Sequence, residues 1–358
     1  MRISVIGGGN IGTLMAAEFA AAGHEVVVCA SRPEEWSPRI EVLDQDDGLL
    51  FESELSEVTS DLDSAVGDAD IVWITYPTFM LPDLAARLLP NIHAGQFIGV
   101  VPGNDAEFFF SEHIARGAVL FGLQRVHSIA RLKQRGKSVY MLGRKPEIQV
   151  AALPASRTRE VASSVEGLFQ IETVALPNYL VETLTPSNPI LHTTRIRSMF
   201  RDWEPGKTYD RNILFYEEWD IPSAELLLEC DEELQRVCRA LESRLGLDLS
   251  LVKPLSVHYE SQTAEAMQAK ISGIPAFRGL ASPMKETSPG RWAPDFESRY
   301  FKADFAYGLR AIRDISALAG VPVPHIDEVL AWYERVSGNV DGNGFVPGSI
   351  EELGRLYA

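Results

Sequence analysis

ISVIGGGNIG, at residues 3–12, decides the fold of the first part of this chain. A short apolar, β-prone run enters a glycine-rich turn, and a helix-like stretch and a second apolar strand at 25–30 follow it. Glycines Gly7, Gly9 and Gly12 have the spacing G-x-G-x-x-G, and strand, turn, helix and strand occupy about 28 residues. This is the context that a dinucleotide-binding fingerprint requires, so the sequence predicts an N-terminal βαβ unit of the Rossmann type.

Each glycine of the fingerprint has a predicted task. Gly7 allows the tight turn, Gly9 lets the backbone approach a pyrophosphate, and Gly12 lets the helix pack closely on the strand. The backbone amides at the helix start, at Asn10 and Ile11, are expected to face the phosphates, because a helix N-terminus attracts anions.

The end of the second strand bears on which dinucleotide binds. An NAD site usually carries Asp or Glu there, where the acid binds the ribose 2′-hydroxyl. Here the strand leads into Ser31 and Arg32, and the first acid is Glu34. Because a guanidinium suits phosphate geometry, we predict NADPH as the cofactor. The alternative is that Arg32 is a solvated loop residue and that the chain uses NADH.

Length and composition restrict the class of protein. The 358 residues exceed what one hydrophobic core usually supports, so two domains are expected. Three cysteines without C-x-x-C spacing argue against a disulfide framework or a metal site and fit a cytoplasmic location. The net charge of −17 disfavours nucleic acid and anionic membranes as partners. No apolar run approaches the ~18 residues of a membrane-spanning helix.

Strands and helices continue to alternate after the fingerprint, which predicts a parallel sheet. One strand-like run ends before Pro77, and the next ends before Gly103 and Asn104. Ligands of such sheets bind outside the carboxyl ends of the strands, so these three residues are expected to border the nicotinamide. A hairpin is predicted at Asp47-Gly48, which lies between two strand-like pieces.

The pattern changes to mostly helical periodicity near residue 184. We therefore expect a dinucleotide-binding domain at 1–184 and a helical substrate domain at 185–358. Residues 223–246 have apolar side chains at helical spacing and form one long helix or a helix pair. Residues 300–320 predict another helix, closed by a glycine.

Two segments of the helical half carry candidate chemistry. In the first, Pro189 suits a first helical turn, Asn188 suits its N-cap, and His192 lies one turn further. In the second, Asp304 stands among apolar and aromatic residues, which invites burial with a partner. The alternatives are that His192 is structural, that Asp304 caps the following helix and that Arg299 is a surface residue.

Together with the fingerprint, these segments resemble the octopine/nopaline dehydrogenase family, the opine dehydrogenases. The first matches an N-P-x-x-H pattern at 188–192, and the second matches R-Y-x-x-x-D-x-x-Y-G-L at 299–309. The run at 121–131 is also similar to this family, and the resemblance covers nearly the whole chain. It implies a Rossmann domain followed by a helical domain of the 6-phosphogluconate dehydrogenase C-terminal type.

The resemblance also implies a reaction, in which an amino acid condenses with a 2-oxo acid and NAD(P)H reduces the imine. His192 and Asp304 would then form a catalytic dyad, because histidine titrates near the working pH and can both donate and accept the proton. Arg299 would clamp a substrate carboxylate, a bidentate task that lysine performs poorly.

Further substrate contacts are expected from Asn188 and Gln124, and the amino acid is expected to be recognised around 216–219. The sequence is compatible with a homodimer but does not give the oligomeric state. It also leaves the identities of the amino acid and of the 2-oxo acid open.

Two other functions compete with this one. A ketopantoate reductase-like enzyme or 2-hydroxy acid dehydrogenase shares the two-domain plan, but such relatives rely on a lysine as proton donor. This chain has no lysine between Ile148 and Lys207. A non-catalytic NADP(H)-binding sensor would also keep the fold. A sensor, however, need not retain the four residues Asn188, His192, Arg299 and Asp304.

Overall fold

The computed structural model describes residues 1–340 and 344–357. The chain forms two units, of which the first contains Met1–Thr183 and the end of the chain from Gly354, and the second is Leu184–Leu353. The domain boundary that the sequence predicts, after residue 184, lies next to this division.

The first unit is an α/β unit with twelve strands in its described residues. The strands are β1 Arg2–Ile6, β2 Glu25–Cys29, β3 Arg39–Leu43, β4 Leu49–Glu54, β5 Glu57–Thr59, β6 Ile71–Ile74, β7 Phe97–Val100, β8 Val119–Leu123, β9 Ser128–Gln134, β10 Ser138–Arg144, β11 Glu147–Leu153 and β12 Glu172–Ala175. The helices are α1 Asn10–Ala21, α2 Leu62–Val66, α3 Leu81–Leu88, α4 Ala106–Phe109, α5 Ser111–Ala115, α6 Thr158–Phe169 and α7 Leu180–Thr183.

Eight of these strands build one sheet in the order β12-β11-β8-β7-β6-β1-β2-β5. All neighbours in it are parallel except β11 and β8. The six strands from β5 to β8 follow the Rossmann order, in which the chain reverses direction across the sheet beside β1. The predicted Rossmann fold is therefore confirmed. Its core contains Trp73, whose ring meets that of Phe121 edge-on at 4.8 Å.

The other four strands form a separate sheet, β4-β3-β10-β9, that packs beside α1. Strands β3 and β4 are antiparallel, so the predicted hairpin is confirmed, and Asp47 takes a left-handed φ of 67° in its turn. The carboxylate of Asp47 accepts hydrogen bonds from Lys133 and Tyr140, both at 2.6 Å. These contacts fasten the hairpin tip to strands that lie far along the chain.

The second unit is mostly helical. Its elements are α8 Leu191–Met199, α9 Ile221–Leu245, α10 Leu255–His258, α11 Ala264–Gly273, β13 Met284–Ser288, β14 Arg291–Pro294, a π-helix Tyr300–Leu309, α12 Arg310–Ala319, α13 Pro324–Ser337 and α14 Ile350–Tyr357, which ends within the first unit. In the described part of the chain, no helix is both long and apolar enough to cross a membrane.

The long helical pattern forms a single helix, α9, of 25 residues. The Asp220 side chain caps it by accepting from the Ser223 N–H at 3.1 Å, and Gly246 ends it in the left-handed conformation. Its apolar face is buried and includes Leu227, Leu234 and Leu241. The spacing of these leucines, at two helical turns, explains why one helix forms.

The start of α8 differs from the prediction. The helix begins at Leu191 with Ile190 in the N-cap position, so the assignment of Asn188 as the N-cap is wrong. Turns precede the helix: the Ile190 N–H donates to the Pro186 carbonyl at 3.3 Å, and the His192 N–H donates to the Asn188 carbonyl at 3.1 Å. Because helical hydrogen bonding has already begun there, Asn188 contributes its carbonyl and not a capping side chain.

A π-helix replaces the first half of the helix predicted at 300–320. Its hydrogen bonds run from residue i to residue i+5, a pattern that often marks functional sites. The sequence periodicity predicted a helix there but not this hydrogen-bond pattern. A Cβ atom on Gly308 would lie 2.9 Å from Cγ of Pro189. The glycine therefore allows the π-helix to pack closely beside the start of α8.

Candidate active site

The fingerprint loop has the geometry that a bound dinucleotide needs. Gly7 has a φ of 118°, which favours glycine, and its N–H donates to the Cys29 carbonyl at 3.1 Å. A Cβ atom on Gly12 would lie 1.9 Å from the Gly7 carbonyl oxygen, so only glycine fits there. At Gly9, by contrast, no heavy atom lies within 4 Å of such a Cβ. This open side of the loop fits the predicted approach of a pyrophosphate.

The start of α1 lies directly after this loop. Asn10 is its first residue, and its side-chain oxygen accepts a hydrogen bond from the Leu132 N–H at 2.9 Å. This contact with β9 fixes the loop and was not foreseen from the sequence. The first backbone amides of a helix lack intrahelical partners, so those of Asn10 and Ile11 remain the predicted phosphate donors.

The residues after β2 carry no carboxylate at the strand end. Ser31 is exposed, and the Arg32 guanidinium donates to the Glu35 carboxylate at 2.7 Å. Both side chains of this ion pair are substantially exposed, at 53% for Arg32 and 38% for Glu35. Such exposed pairs contribute about 0–1 kcal/mol, so Arg32 can exchange Glu35 for a phosphate at little cost.

Three of the other predicted residues of the first unit lie at one sheet edge. Pro77 follows β6, Gly103 follows β7 and Gln124 follows β8, and these strands are parallel neighbours. Their carboxyl ends therefore share an edge with the fingerprint loop after β1. Gln124 is buried, and its side-chain oxygen lies 3.5 Å from an Arg125 nitrogen. Asn104, in the turn after Gly103, is half-buried.

A buried carboxylate explains the glycine at position 103. A Cβ atom there would lie 2.1 Å from an oxygen of Glu182 and 2.6 Å from the Cα of Gly122. The other Glu182 oxygen accepts the Ala151 N–H at 2.6 Å, and burial raises the pKa of Glu182 well above its ordinary value. The Glu182 carboxyl group thus binds β11 and fills the space beside Gly103 and Gly122, so that a side chain at either glycine would collide with it.

In the second unit, His192 and Asp304 meet although 112 positions separate them. Nδ1 of His192, in the first turn of α8, lies 2.8 Å from a carboxylate oxygen of Asp304 in the π-helix. The two side chains are only 10% and 14% exposed. The close packing at Gly308 brings these two helices together, and the carboxylate fixes the proton of the neutral ring on Nδ1.

Tyr216 occupies the other ring nitrogen of His192. Its hydroxyl lies 3.0 Å from Nε2, and the Tyr216 residue is 7% exposed. Burial raises the pKa of the Tyr216 phenol well above its ordinary value. The ring of Phe215 also meets His192 edge-on, at 5.5 Å. The sequence predicted that the segment around Tyr216 recognises the amino-acid substrate, but it did not predict the hydrogen bond between Tyr216 and His192.

The ring of Tyr300 lies between Arg299 and the same histidine. The Arg299 guanidinium carbon lies 5.5 Å from the Tyr300 ring centroid, and the Tyr300 ring lies 4.8 Å from that of His192. The side chain is exposed, and within 1–340 and 344–357 no carboxylate pairs with it. An arginine held in this way is available to an anionic ligand. Asn188 is also exposed at this end of α8.

Arg195 is a buried residue that the sequence did not single out. It lies three positions after His192 on α8, and its guanidinium donates to the carbonyls of Phe215 and Glu218 at 3.0 and 2.6 Å. It also pairs with Asp220 at 3.2 Å. Arg195 thereby holds the segment that carries Tyr216. The position of Arg195, about one helical turn after the candidate His192, is the sequence feature that could have indicated its importance.

Two family models match this chain. Residues 175–337 match the α-helical domain of NAD/NADP octopine/nopaline dehydrogenase, and residues 2–99 match a model described as NADP oxidoreductase, coenzyme F420-dependent. The two matches fall on the helical and the dinucleotide-binding halves that the sequence indicates.

Relatives and solved structures resemble the chain over nearly its whole length. Tauropine dehydrogenase of Arabella iricolor is 26% identical over 367 residues, which cover 94% of this chain and 91% of the relative. Opine dehydrogenase of Haliotis discus hannai is 27% identical over 370 residues, with 94% and 90% covered. The structure of octopine dehydrogenase with NADH and L-arginine has the same fold, with a TM-score of 0.83 at 22% identity over 99% of this chain and 97% of that one.

Proposed function

Because the chain belongs to the octopine/nopaline dehydrogenase family of NAD(P)-dependent oxidoreductases acting on CH–NH bonds, we propose that it joins an amino acid to a 2-oxo acid. The product is a secondary amine, formed by reduction of the intermediate imine. The observation that carries the proposal is the 2.8 Å contact of His192 with Asp304 beside the available guanidinium of Arg299. The octopine dehydrogenase structure with NADH and L-arginine supports a nicotinamide dinucleotide and an amino acid as ligands.

His192 is proposed to manage the protons of the condensation. The neutral amine attacks the carbonyl carbon, and the oxygen of the adduct must gain a proton before it leaves as water. A histidine in hydrogen-bond contact with a carboxylate can accept one proton and return it in the next step. Asp304 fixes the ring orientation by holding Nδ1. When bound, the nicotinamide cofactor supplies the hydride that reduces the imine.

Arg299 is proposed to orient the 2-oxo acid. A guanidinium can bind a carboxylate through two parallel hydrogen bonds, which fixes direction as well as distance. Its place on the Tyr300 ring, which itself packs on His192, keeps a bound carboxylate near the histidine. Correct orientation is a large part of the rate in reactions that join two substrates.

Replacement of Arg299 with lysine is expected to raise the KM for the 2-oxo acid roughly 10- to 100-fold, which corresponds to about 1.5–3 kcal/mol for a charge-assisted hydrogen bond. Lysine keeps the charge but loses the fork. Steady-state kinetics with each substrate varied in turn provides the measurement, and the KM for the amino acid should change less.

Arg201→Lys is the matched control, because Arg201 is an exposed arginine of the same unit that pairs with its neighbour Asp202 at 3.6 Å. It should leave both KM values unchanged. An unchanged oxo-acid KM in Arg299→Lys would remove Arg299 from the substrate site.

The cofactor is proposed to be NADPH, bound along the fingerprint loop with its 2′-phosphate at Ser31 and Arg32. The absence of an acid at the end of β2 and the exposed position of Arg32 support this choice over NADH. The open side of Gly9 fits the pyrophosphate, while Pro77, Gly103 and Asn104 are proposed to border the nicotinamide ring.

Replacement of Arg32 with alanine should weaken NADPH binding by ~1–3 kcal/mol, or roughly 5- to 150-fold in Kd, and leave NADH binding almost unchanged. Fluorescence titration of the reduced cofactors measures both constants. Glu35→Gln is the informative control, since it removes the present partner of Arg32 and should not weaken NADPH. Equal losses for NADPH and NADH in Arg32→Ala contradict the assignment.

The whole proposal is tested by oxidation of NADPH with a panel of 2-oxo acids, each with and without a panel of amino acids. Oxidation that requires the amine supports the proposed condensation. Oxidation of equal rate without any amine indicates a simple 2-oxo acid reductase, and cofactor binding without turnover across the panel indicates a sensor.

A further inference from the structure

Both ring nitrogens of His192 are occupied by protein groups. Nδ1 faces Asp304 at 2.8 Å, and Nε2 faces the Tyr216 hydroxyl at 3.0 Å. An imidazole has only these two positions at which a proton can be exchanged. A substrate therefore reaches His192 either through the Tyr216 hydroxyl or after Tyr216 has moved away.

Tyr216 is held in place on several sides. Its ring stacks on that of Phe277 with centroids 4.1 Å apart and planes 20° apart. The carbonyls of Phe215 and Glu218, on either side of it in the chain, are bound by the buried Arg195 guanidinium at 3.0 and 2.6 Å. Rotation of the Tyr216 side chain away from Nε2 would disturb this stacking, and a shift of its backbone would disturb these charge-assisted hydrogen bonds.

We propose that Tyr216 is a further catalytic residue, which carries the proton between Nε2 of His192 and the oxygen of the substrate. The inference rests on the proposed function, because it names the group that meets the adduct oxygen. Tyr216, His192 and Asp304 then form a relay in which only the tyrosine hydroxyl contacts the substrate.

The proton balance of the relay is simple. The Tyr216 O–H gives its proton to the hydroxyl of the carbinolamine, the C–O bond breaks, and water leaves. The nitrogen lone pair forms the C=N bond of an iminium ion. Protonated His192 returns a proton from Nε2 to the Tyr216 oxygen, so the phenol is restored and the imidazole becomes neutral. The hydride of the cofactor then reduces the iminium ion to the secondary amine.

The surroundings of Tyr216 suit a hydroxyl that stays protonated between turnovers. Burial is the main cause that raises the pKa of this phenol well above its ordinary value, and the nearby Tyr300, Tyr259 and Asp304 act in the same direction. The charge of Arg299 acts in the opposite direction. A neutral phenol can donate to the substrate and accept from imidazolium in turn.

Tyr216→Phe tests the relay, because phenylalanine keeps the ring that stacks on Phe277 and removes only the hydroxyl. We expect kcat to fall roughly 10- to 100-fold, less than a full acid–base loss because water can enter the vacated position. The KM for the 2-oxo acid should stay within about three-fold, since Arg299 is intact. Combined with His192→Ala, the substitution should add less than about two-fold, because both residues serve one proton path.

Tyr209→Phe is the control, since it removes a phenol hydroxyl from another part of the same unit, where Tyr209 packs against Phe200. It should keep the wild-type kcat. A Tyr216→Phe variant with wild-type or higher kcat and the wild-type melting temperature overturns the relay, and it shows instead that Tyr216 is displaced when substrate binds.

The relay and the proposed function can fail separately. Kinetics are run in whichever 2-oxo acid reduction the wild type catalyses, since simple reduction also requires a proton on oxygen. Dependence on the amine reports on the proposed function, while the loss in Tyr216→Phe reports on the relay. If the wild type reduces no tested acid, ¹⁵N NMR of histidine-labelled protein tests the contact between the Tyr216 hydroxyl and Nε2 of His192. An Nε2 resonance of His192 that Tyr216→Phe does not shift contradicts this contact and therefore the relay.

Discussion

Replacement of His192 with alanine is expected to lower kcat for amine-dependent NADPH oxidation by ~10²–10⁴-fold, the usual contribution of general acid–base catalysis. The imidazole lies between the Asp304 carboxylate and the Tyr216 hydroxyl, at 2.8 and 3.0 Å, so its removal leaves those two groups without a connection. Cofactor binding should not change, because the fingerprint loop belongs to the other unit of the chain. Stopped-flow measurement of a single turnover with bound NADPH separates the chemical step from product release.

A second histidine of the same unit provides the control. Nδ1 of His325 lies 2.9 Å from the Glu233 carboxylate, at the start of α13. His325→Ala therefore also removes a histidine–carboxylate hydrogen bond, but from a place with no proposed chemistry, and it should keep the wild-type rate. A folded His192→Ala protein with near-normal turnover would show that the proton donor lies elsewhere.

Local features of the fold could be predicted because neighbouring residues decide them. The fingerprint requires glycine at positions 7 and 12 for reasons of φ and space that a short segment contains. The Asp47-Gly48 turn and the apolar face of α9 follow in the same way from turn chemistry and from helical spacing. The elements that these patterns predicted occur in the structure in the predicted order, but the patterns did not predict β8, β9 or the β13–β14 pair.

Contacts between distant segments could not be predicted from such patterns. The pairing of β3 with β10 joins residues about a hundred positions apart, and periodicity indicates which residues are buried but not which strand they meet. The close packing of the π-helix on the start of α8 likewise depends on how Gly308 fits against Pro189, which is a tertiary contact. The assignment of Asn188 as an N-cap failed because the preceding turns already satisfied the backbone.

In the candidate site, too, some residues could be predicted from local sequence and others could not. His192, Arg299 and Asp304 were found because they lie in short segments with a recognisable pattern. Tyr216 and Arg195 were not assigned to the histidine, because the segment around Tyr216 is irregular and its path depends on contacts with distant residues such as Arg195 and Phe277. The local sequence around Tyr216 therefore does not indicate its contact with His192, because that contact depends on residues elsewhere in the chain.

Asp304→Asn is expected to lower kcat by ~10²–10⁴-fold, although asparagine has nearly the same shape as aspartate. A carboxylate only accepts hydrogen bonds, so it keeps the proton of neutral His192 on Nδ1 and leaves Nε2 to exchange protons. An amide can also donate, which permits the other tautomer, and it cannot stabilise the imidazolium by charge. The KM for the 2-oxo acid should stay close to the wild-type value, because Arg299 is unchanged.

The double variant decides whether Asp304 acts through His192. If it does, Asp304→Asn in a His192→Ala background should cause almost no further loss, because the carboxylate then has no ring to orient. Losses that multiply instead indicate an independent role, such as holding the π-helix in place. Glu328→Gln is the control for removing a carboxylate from this unit, since Glu328 pairs with Arg197 on the surface at 2.9 Å. A wild-type kcat in Asp304→Asn would show that the His192–Asp304 contact has only a packing role, because replacing a catalytic carboxylate with an amide lowers the rate.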